Sequence, residues 1–157
     1  MLETRAATLD DAALIASHRR GMFASMGGFD DELLDRVCRA SKPWIARMIA
    51  EGKYLGWITA HEALPIASAG LLILDWPPHP LDPGGETRAY LLNVFVEEEY
   101  RRRGLARALL KTCVAEARRR SIRVVSLHAS AEGRPLYEHL GFRPTNEMLC
   151  VNPESGS

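Results

Sequence analysis

The stretch between residues 87 and 129 constrains the fold of this chain more than any other part of the sequence. It reads as an apolar strand over 87–96, an amphipathic helix from about residue 103 to residue 120, and a second strand over 123–129. A strand, a helix and a strand in this order are joined by a right-handed crossover that makes the two strands parallel. The unit therefore predicts a sheet with a parallel strand pair covered by a helix.

The rest of the chain adds antiparallel strands and further helices to this unit. The elements predicted before residue 87 are a strand through Leu2, Thr4 and Ala6, helices over about 12–26 and 30–40, a helical turn over 43–50, and a hairpin of strands over 54–62 and 65–76. After residue 129 we predict a short helix near Pro135 and a sixth strand, EMLCV, over 147–151. The order β-α-α-β-β-β-α-β-α-β predicts a mixed α/β (α+β) fold, with one domain over 1–152 and a loose C-terminal tail over 153–157.

The composition excludes several classes of partner. Twenty Lys and Arg balance twenty Asp and Glu, so the formal net charge is zero and no overall field favours nucleic acid or an anionic membrane. The charges are nevertheless clustered, with EEE at 97–99 and RRR at 101–103 and 118–120. Recognition of an anion must therefore be local.

The three cysteines lie far apart and share no metal-binding spacing. An odd number of cysteines without an N-terminal apolar segment predicts a reducing compartment, buried thiols and no metal. No apolar run approaches the length of a membrane span. These features predict a soluble cytoplasmic protein.

Three arginines and a glycine, residues 101–104, stand where the helix after the fourth strand begins. Aligned peptide dipoles make a helix N-terminus partly positive, so cations there are unfavourable by about 0.3–1 kcal/mol each. The first-turn amides have no intrahelical partners, and a glycine lets a ligand approach the backbone closely. The segment therefore predicts an anion site. The usual nucleotide loops do not fit, because GxxxxGK[ST] is absent and only Gly104 could belong to GxGxxG.

Arg-x-x-Gly-x-Ala at 101–106 resembles the signature of the GNAT superfamily of N-acetyltransferases, Gln/Arg-x-x-Gly-x-Gly/Ala after a central strand. A second stretch, LHASAEGRPLYEHLGF at 127–142, resembles the family's fifth strand and following helix, which end in Leu-Tyr-x-x-x-Gly-Phe. The predicted order of elements is also similar over nearly the whole chain. The resemblance implies an acetyl-CoA-dependent N-acetyltransferase whose fourth and fifth strands splay apart around the cofactor.

The resemblance also implies which residues hold acetyl-CoA. Backbone amides of the segment 102–107 would bind the pyrophosphate, and backbone groups of Val94 and Val96 would pair with pantetheine as an added strand would. The implied cofactor-binding residues are Val94, Val96, Arg101, Arg102, Arg103, Gly104, Leu105, Ala106, Arg107 and Ser130. Ser130 occupies a position where the family often has asparagine.

Tyr137 matches the family's tyrosine that protonates the departing CoA thiolate. The chemistry suits this role, because attack on a thioester expels a thiolate and a phenol with a reference pKa of about 10 is protonated at pH 7. The amide of Val96 is the expected donor to the developing oxyanion. The general base is left open between Glu86, Asp75, His79, Tyr90 and a chain of waters; Tyr90 stands where some family members have glutamate.

Other polar and aromatic residues have simpler expected roles. Isolated His18, His61 and His128 are expected to be structural, and the charged runs 97–99 and 118–120 to be solvated. Met22, Phe23 and Met26 could form an acceptor wall or pack in the core, and Trp76 could line the acceptor entrance or stiffen its loop.

The sequence leaves the acceptor amine unidentified. The alternative function is a non-catalytic acyl-CoA-binding module on the same fold, and a protein-modifying acetyltransferase is a weaker rival. Turnover with an amine would separate catalysis from binding. The family often pairs through its C-terminal strands, so a homodimer through EMLCV is a further expectation.

Overall fold

The structure is a computed structural model, and it describes residues 1–155. These residues include one five-stranded sheet whose strands lie side by side in chain order. The strands are β1 (Leu2–Ala6), β2 (Tyr54–His61), β3 (Leu64–Asp75), β4 (Thr87–Val96) and β5 (Val125–Leu127). Neighbouring strands are antiparallel except β4 and β5, which are parallel. The predicted mixed α/β fold is confirmed, including the two parallel strands that a helix connects in sequence.

Helices cover both faces of this sheet. They are α1 (Ala12–Met26), α2 (Asp31–Ala50), α3 (Leu105–Arg119) and α4 (Arg134–His139). On one face α3 buries Leu109, Leu110 and Cys113 against the sheet, and on the other α1 and α2 bury Ile15 and Ile45. β4 lies between these two layers and contacts both α1 and α3.

The second helix is longer than the sequence predicts. We expected a helix over 30–40 and a separate helical turn from Pro43, whereas α2 continues through Pro43 to Ala50. Asp30 caps it by accepting a hydrogen bond from the Leu33 amide at 2.8 Å. Proline removes one helical hydrogen bond, but burial of Leu34, Ser41 and Ile45 along one face keeps the helix continuous.

The predicted sixth strand is wrong. Residues 143–155 form no strand, and Met148, Leu149 and Val151 are 93%, 85% and 81% exposed. The free edge beside this segment belongs to β5, which has three residues, so little backbone is available for a sixth strand to pair with. Cys150 is exposed for the same reason, contrary to the expected burial of the thiols, whereas Cys113 is buried. Within the predicted tail over 153–157, residues 153–155 have no regular structure and residues 156–157 lie outside those described.

Candidate active site

β4 and β5 lie side by side over only three residue pairs, Ala89–Leu91 with Val125–Leu127. β4 continues to Val96, whereas β5, predicted over 123–129, ends at Leu127. Residues 92–96 therefore extend past the end of β5. Val94 and Val96 lie on this half-buried stretch, at the side of the sheet where an extended chain could be added.

A β-bulge reshapes β4 at the same point. The β3–β4 register shifts between Ser68 and Gly70, and Asn93 has φ of 56°, in the left-handed region. Asn93 is 1% exposed; its Nδ2 donates to Tyr54 Oη at 3.1 Å and its Oδ1 accepts from Arg19 at 2.7 Å. The buried amide thus holds the bulge in place next to Val94.

The turn before α3 has the geometry expected of an anion site. Gly104 is the N-cap in the left-handed region, with φ of 80° and ψ of 8°, and Arg102 is also left-handed with φ of 63°. No side chain of the described residues caps this end, so the first-turn amides are left to other acceptors. A side-chain carbon placed on Gly104 would meet nothing within 4 Å, which leaves room for a ligand against the backbone. Leu105 is buried and anchors the turn to the core.

The four arginines of this segment are not equivalent. Arg101 donates from Nε to the Val96 carbonyl at 3.0 Å and from a terminal nitrogen to Ser25 Oγ at 3.0 Å. Its guanidinium therefore joins the end of β4 to the end of α1, a role that the sequence did not predict. Arg102, Arg103 and Arg107 are exposed, and the Arg103 guanidinium lies 5.1 Å from the centre of the Tyr100 ring. These three are the arginines available to an anion.

Tyr137 lies on α4 and is half-buried, with its ring edge-on to Phe142 at 6.2 Å. Burial, and secondarily the proximity of Tyr90, raises the pKa of Tyr137. The phenol is therefore protonated at neutral pH, as a proton donor must be. Ser130 Oγ accepts a hydrogen bond from the Gly133 amide at 3.1 Å, so this hydroxyl positions the turn before α4 and still has its own proton and a second lone pair for a ligand.

Tyr90 and His128 form a contact that sequence reasoning missed. The Tyr90 hydroxyl is hydrogen-bonded to His128 Nδ1, and His128 Nε2 lies 3.2 Å from Glu147 Oε1. His128 was expected to be merely structural, and Glu147 was assigned to a strand. The parallel pairing of Tyr90 with Ser126 could have indicated this contact, because it brings His128, the residue after β5, close to Tyr90.

The other base candidates lie at the opposite end of β4. Asp75 pairs with Thr87, the Trp76 amide donates to the Glu86 carbonyl at 2.9 Å, and His79 accepts from the Leu81 amide at 3.1 Å. Thr87 is seven residues before Val94, a distance of about 24 Å along an extended strand at about 3.4 Å per residue. This separation favours Tyr90 over those three residues. Trp76 packs on Arg88 at 4.2 Å and lies at that same distant end.

Arg19 and Phe23 line the α1 side of the bulge. The Arg19 guanidinium lies 4.8 Å from the centre of the Phe23 ring and makes no ion pair with a described carboxylate. Burial lowers the pKa of Arg19, although an arginine remains charged at neutral pH. Met26 is 52% exposed, so it does not pack in the core. This wall presents a cation and apolar side chains beside Asn93.

Neither a metal-binding cluster nor a membrane-spanning helix is present among the described residues. No group of three or more His, Cys, Asp or Glu side chains there could hold a metal ion. No helix formed by residues 1–155 has the length and apolar content needed to cross a membrane.

Comparison with known proteins agrees with this geometry. Residues 14–142 match the sequence model of the family described as Acetyltransferase (GNAT) family. A crystal structure of a GCN5-related N-acetyltransferase from Ralstonia eutropha JMP134 is 36% identical, with a TM-score of 0.91 over 99% of this chain and 100% of that one. A predicted acetyltransferase from Clostridium acetobutylicum, solved with acetyl-CoA, is 28% identical, with a TM-score of 0.85 over 97% of this chain and 96% of that one.

Among curated proteins, human N-acetyltransferase 8 is 30% identical over 99 residues, which are 60% of this chain. The chain covers 41% of the length of that relative. The family match extends over both halves of the site, from α1 to the Gly-Phe pair that follows α4. The chain therefore belongs to the acetyltransferase (GNAT) family.

Proposed function

We propose that this protein is an acetyl-CoA-dependent N-acetyltransferase that moves an acetyl group to a primary amine by direct attack in a ternary complex. The observation that carries the proposal is Tyr137 itself, a half-buried phenol whose pKa is raised by burial and by nearby Tyr90. Tyr90 lies where β4 pairs with β5, one residue before the pairing ends. A module that only binds acyl-CoA has no need of a proton donor at this point.

Acetyl-CoA is the substrate that supplies the activated acetyl group. The uncapped amides after Gly104 would hold its pyrophosphate, with exposed Arg102, Arg103 and Arg107 adding charge. The unpaired edge around Val94 would hold pantetheine by backbone hydrogen bonds. The Val96 carbonyl accepts a hydrogen bond from Arg101, so the Val96 backbone would contribute its amide as a hydrogen-bond donor to the cofactor.

The chemistry then follows from the residues around Tyr137. The amine nitrogen forms a bond to the thioester carbon, and the carbon–sulfur bond breaks with its electron pair on sulfur. Tyr137 donates its proton to that sulfur, and a backbone amide of β4, that of Val96, stabilises the developing oxyanion. Because the amine attacks directly, no covalent enzyme intermediate is needed.

Replacing Tyr137 tests the catalytic half of the proposal. We expect Tyr137→Phe to lower kcat by about 100-fold, since positioned acids typically contribute 10²–10⁴-fold, and to leave the KM for acetyl-CoA nearly unchanged. Thiol release in the presence of a panel of primary amines measures both constants. Phe142→Leu, which disturbs the ring packing and keeps the phenol, is the matched control. Unchanged turnover in Tyr137→Phe would remove Tyr137 from the reaction.

Replacing Gly104 tests the binding half. Calorimetric titration of the purified protein with acetyl-CoA, and separately with free CoA, should give saturable binding of both. Gly104→Glu should abolish it, because bulk and negative charge enter the space beside the first-turn amides. Gly84→Glu makes the same change in the distant loop and should leave binding intact. Binding retained by a folded Gly104→Glu protein would place the pyrophosphate elsewhere.

A non-catalytic acyl-CoA-binding module is the second candidate, because Tyr90 stands where some relatives have a carboxylate. Binding of acetyl-CoA without release of CoA to any primary amine would favour it. We further propose that two copies pair through the exposed C-terminal segment around Met148, Leu149 and Val151.

A further inference from the structure

Tyr90, His128 and Glu147 form a hydrogen-bonded chain that begins beside the parting of β4 and β5. They come from β4, from the residue after β5 and from the C-terminal segment, so three separate parts of the sequence meet here. Tyr90 is half-buried, whereas the His128 and Glu147 side chains are 67% and 65% exposed. The chain therefore leads from the interior of the site to solvent.

The identity of the partners fixes the direction of the hydrogen bonds. A neutral imidazole has one N–H and one nitrogen lone pair, and an ionised carboxylate only accepts. His128 Nε2 must then donate to Glu147, which leaves Nδ1 to accept the Tyr90 hydroxyl proton. The Tyr90 oxygen also accepts from the His128 backbone and keeps one lone pair for a donor arriving from the site.

We propose that this chain removes the proton from the acceptor, and that the acceptor is therefore a basic aliphatic amine that arrives as an ammonium ion. The inference rests on the proposed function, because it concerns the same transfer. An alkylamine of the lysine type has a reference pKa of about 10.4 and cannot attack until a base takes its proton. A weakly basic amine is already neutral at pH 7 and does not need the chain for that step.

In the proposed step, the ammonium proton passes to the Tyr90 oxygen as the Tyr90 proton passes to His128 Nδ1. His128 becomes an imidazolium, stabilised by its Nε2 hydrogen bond to Glu147. The neutral amine then forms the carbon–nitrogen bond, the carbon–sulfur bond breaks, and Tyr137 protonates the sulfur. The proton that the nitrogen loses on becoming an amide restores Tyr137, and exposed His128 releases its proton to water.

The groups around the chain suit a phenol that relays a proton. Burial raises the pKa of Tyr90, and nearby Glu147 acts in the same direction, while a hydrogen bond from the His128 backbone and the charge of Arg19 on α1 oppose them. Tyr137 from α4 is the other titratable group that interacts with Tyr90, and Tyr54 from β2 interacts with Arg19. Tyr90 therefore stays protonated at neutral pH and passes protons to His128 instead of acting as a phenolate.

The kinetic test compares two acceptors with the same carbon skeleton and different basicity, ethylamine and 2,2,2-trifluoroethylamine, each measured in the wild type and in the variants. At pH 7, His128→Gln should lower kcat/KM for ethylamine by about 100-fold and have little effect on that for trifluoroethylamine. Glu147→Gln should reduce the ethylamine rate by about tenfold, and raising the pH should restore ethylamine turnover in both variants. His61→Gln, which removes the other Tyr–His pair, His61 with Tyr100 at 3.1 Å, should change neither rate.

Three results would overturn the inference. Equal losses for both amines in His128→Gln would mean that the chain does not discriminate by basicity. Unchanged ethylamine kinetics in that variant would remove the chain from the reaction while leaving the proposed function intact. A wild-type protein that releases no CoA with any primary amine would instead overturn the proposed function, and this inference with it.

A spectroscopic measurement tests the chain without turnover. Nitrogen-15 NMR of the wild-type protein should show His128 as the tautomer protonated on Nε2, with Nδ1 accepting a hydrogen bond. Tyr90→Phe should shift the Nδ1 resonance and leave that of His61 unchanged. A His128 found protonated on Nδ1 at neutral pH would contradict the proposed direction of proton flow.

Discussion

His18 shows how one buried residue sets the response of the fold to acid. It lies on α1, is 3% exposed, accepts or donates one hydrogen bond with Ser68 Oγ at 2.7 Å, and packs on the Phe95 ring at 4.7 Å. Burial lowers its pKa from 6.5 to about 4. Burial disfavours the charged form of His18, so protonating it opposes the folded state.

The lowered pKa of His18 predicts a loss of stability in mild acid. The unfolded chain takes up a proton at this side chain near pH 6.5, whereas the folded chain does so only near pH 4. The free energy of unfolding should therefore fall as the pH drops from 6.5 to 4, by at most about 3 kcal/mol. Urea unfolding at pH 7, 5.5 and 4.5 measures this decline.

The control for this prediction is a pair of variants. His18→Gln should flatten the decline between pH 6.5 and 4, and His139→Gln, at an exposed position of α4, should keep it. Asp11 acts in a separate window, because its hydrogen bond from Arg5 lowers its pKa from 3.8 to about 2, so the stability it provides is lost only below pH 4. An unchanged slope in a folded His18→Gln protein would contradict the assignment.

At the scale of elements, β4 combines what the sequence could and could not reveal. Its span, the Gly104 turn and the helix after it followed from apolar periodicity and from one local motif. The bulge at Asn93 did not, because it depends on Tyr54 and Arg19, which are 39 and 74 residues away. The same holds for His128 and Glu147, whose meeting with Tyr90 depends on strand register and on how the C-terminal segment runs.

Substitution of Asn93 should separate backbone strain from lost hydrogen bonds. Asn93→Gly accepts the left-handed φ but leaves Tyr54 and Arg19 without the amide, a cost of about 1–3 kcal/mol. Asn93→Val adds the strain of a β-branched residue at φ of 56°, about 1–2 kcal/mol more. Urea unfolding of the two variants compares these costs. Equal stability of the valine and glycine variants would show that backbone conformation does not limit this position.

At the scale of the whole molecule, the exposed C-terminal segment distinguishes the observed structure from the predicted one. The segment EMLCV is a short apolar run of the kind found in strands, and such a run does not distinguish pairing within a chain from pairing between chains. The local pattern of apolar residues therefore predicted the five strands from β1 to β5, each of which pairs with the strand next to it in the sequence. It was wrong for the last segment, where the edge offered by β5 is three residues long.

The exposed apolar residues predict association in solution. Sedimentation equilibrium should detect a dimer at micromolar concentration, since Met148, Leu149 and Val151 are large apolar side chains that are almost fully exposed. Leu149→Glu should raise the dimer dissociation constant at least about tenfold, because it places a charge in the contact. Leu64→Glu, at an exposed leucine of the β2–β3 hairpin, should leave it unchanged. A monomer at every concentration would rule out this mode of pairing.

The two hydrogen bonds of Arg101 tie the turn that precedes α3 to the last turn of α1. A ligand that restrains this turn therefore also restrains Ser25 and the neighbouring residues of α1, on the side where Arg19 and Phe23 lie. If this restraint changes the free energy of binding of a second molecule at α1, the second molecule changes the free energy of binding of the first ligand by the same amount, because thermodynamic linkage is reciprocal. In the proposed ternary complex, the affinity for each substrate in the presence of the other would then depend in part on the hydrogen bonds of Arg101.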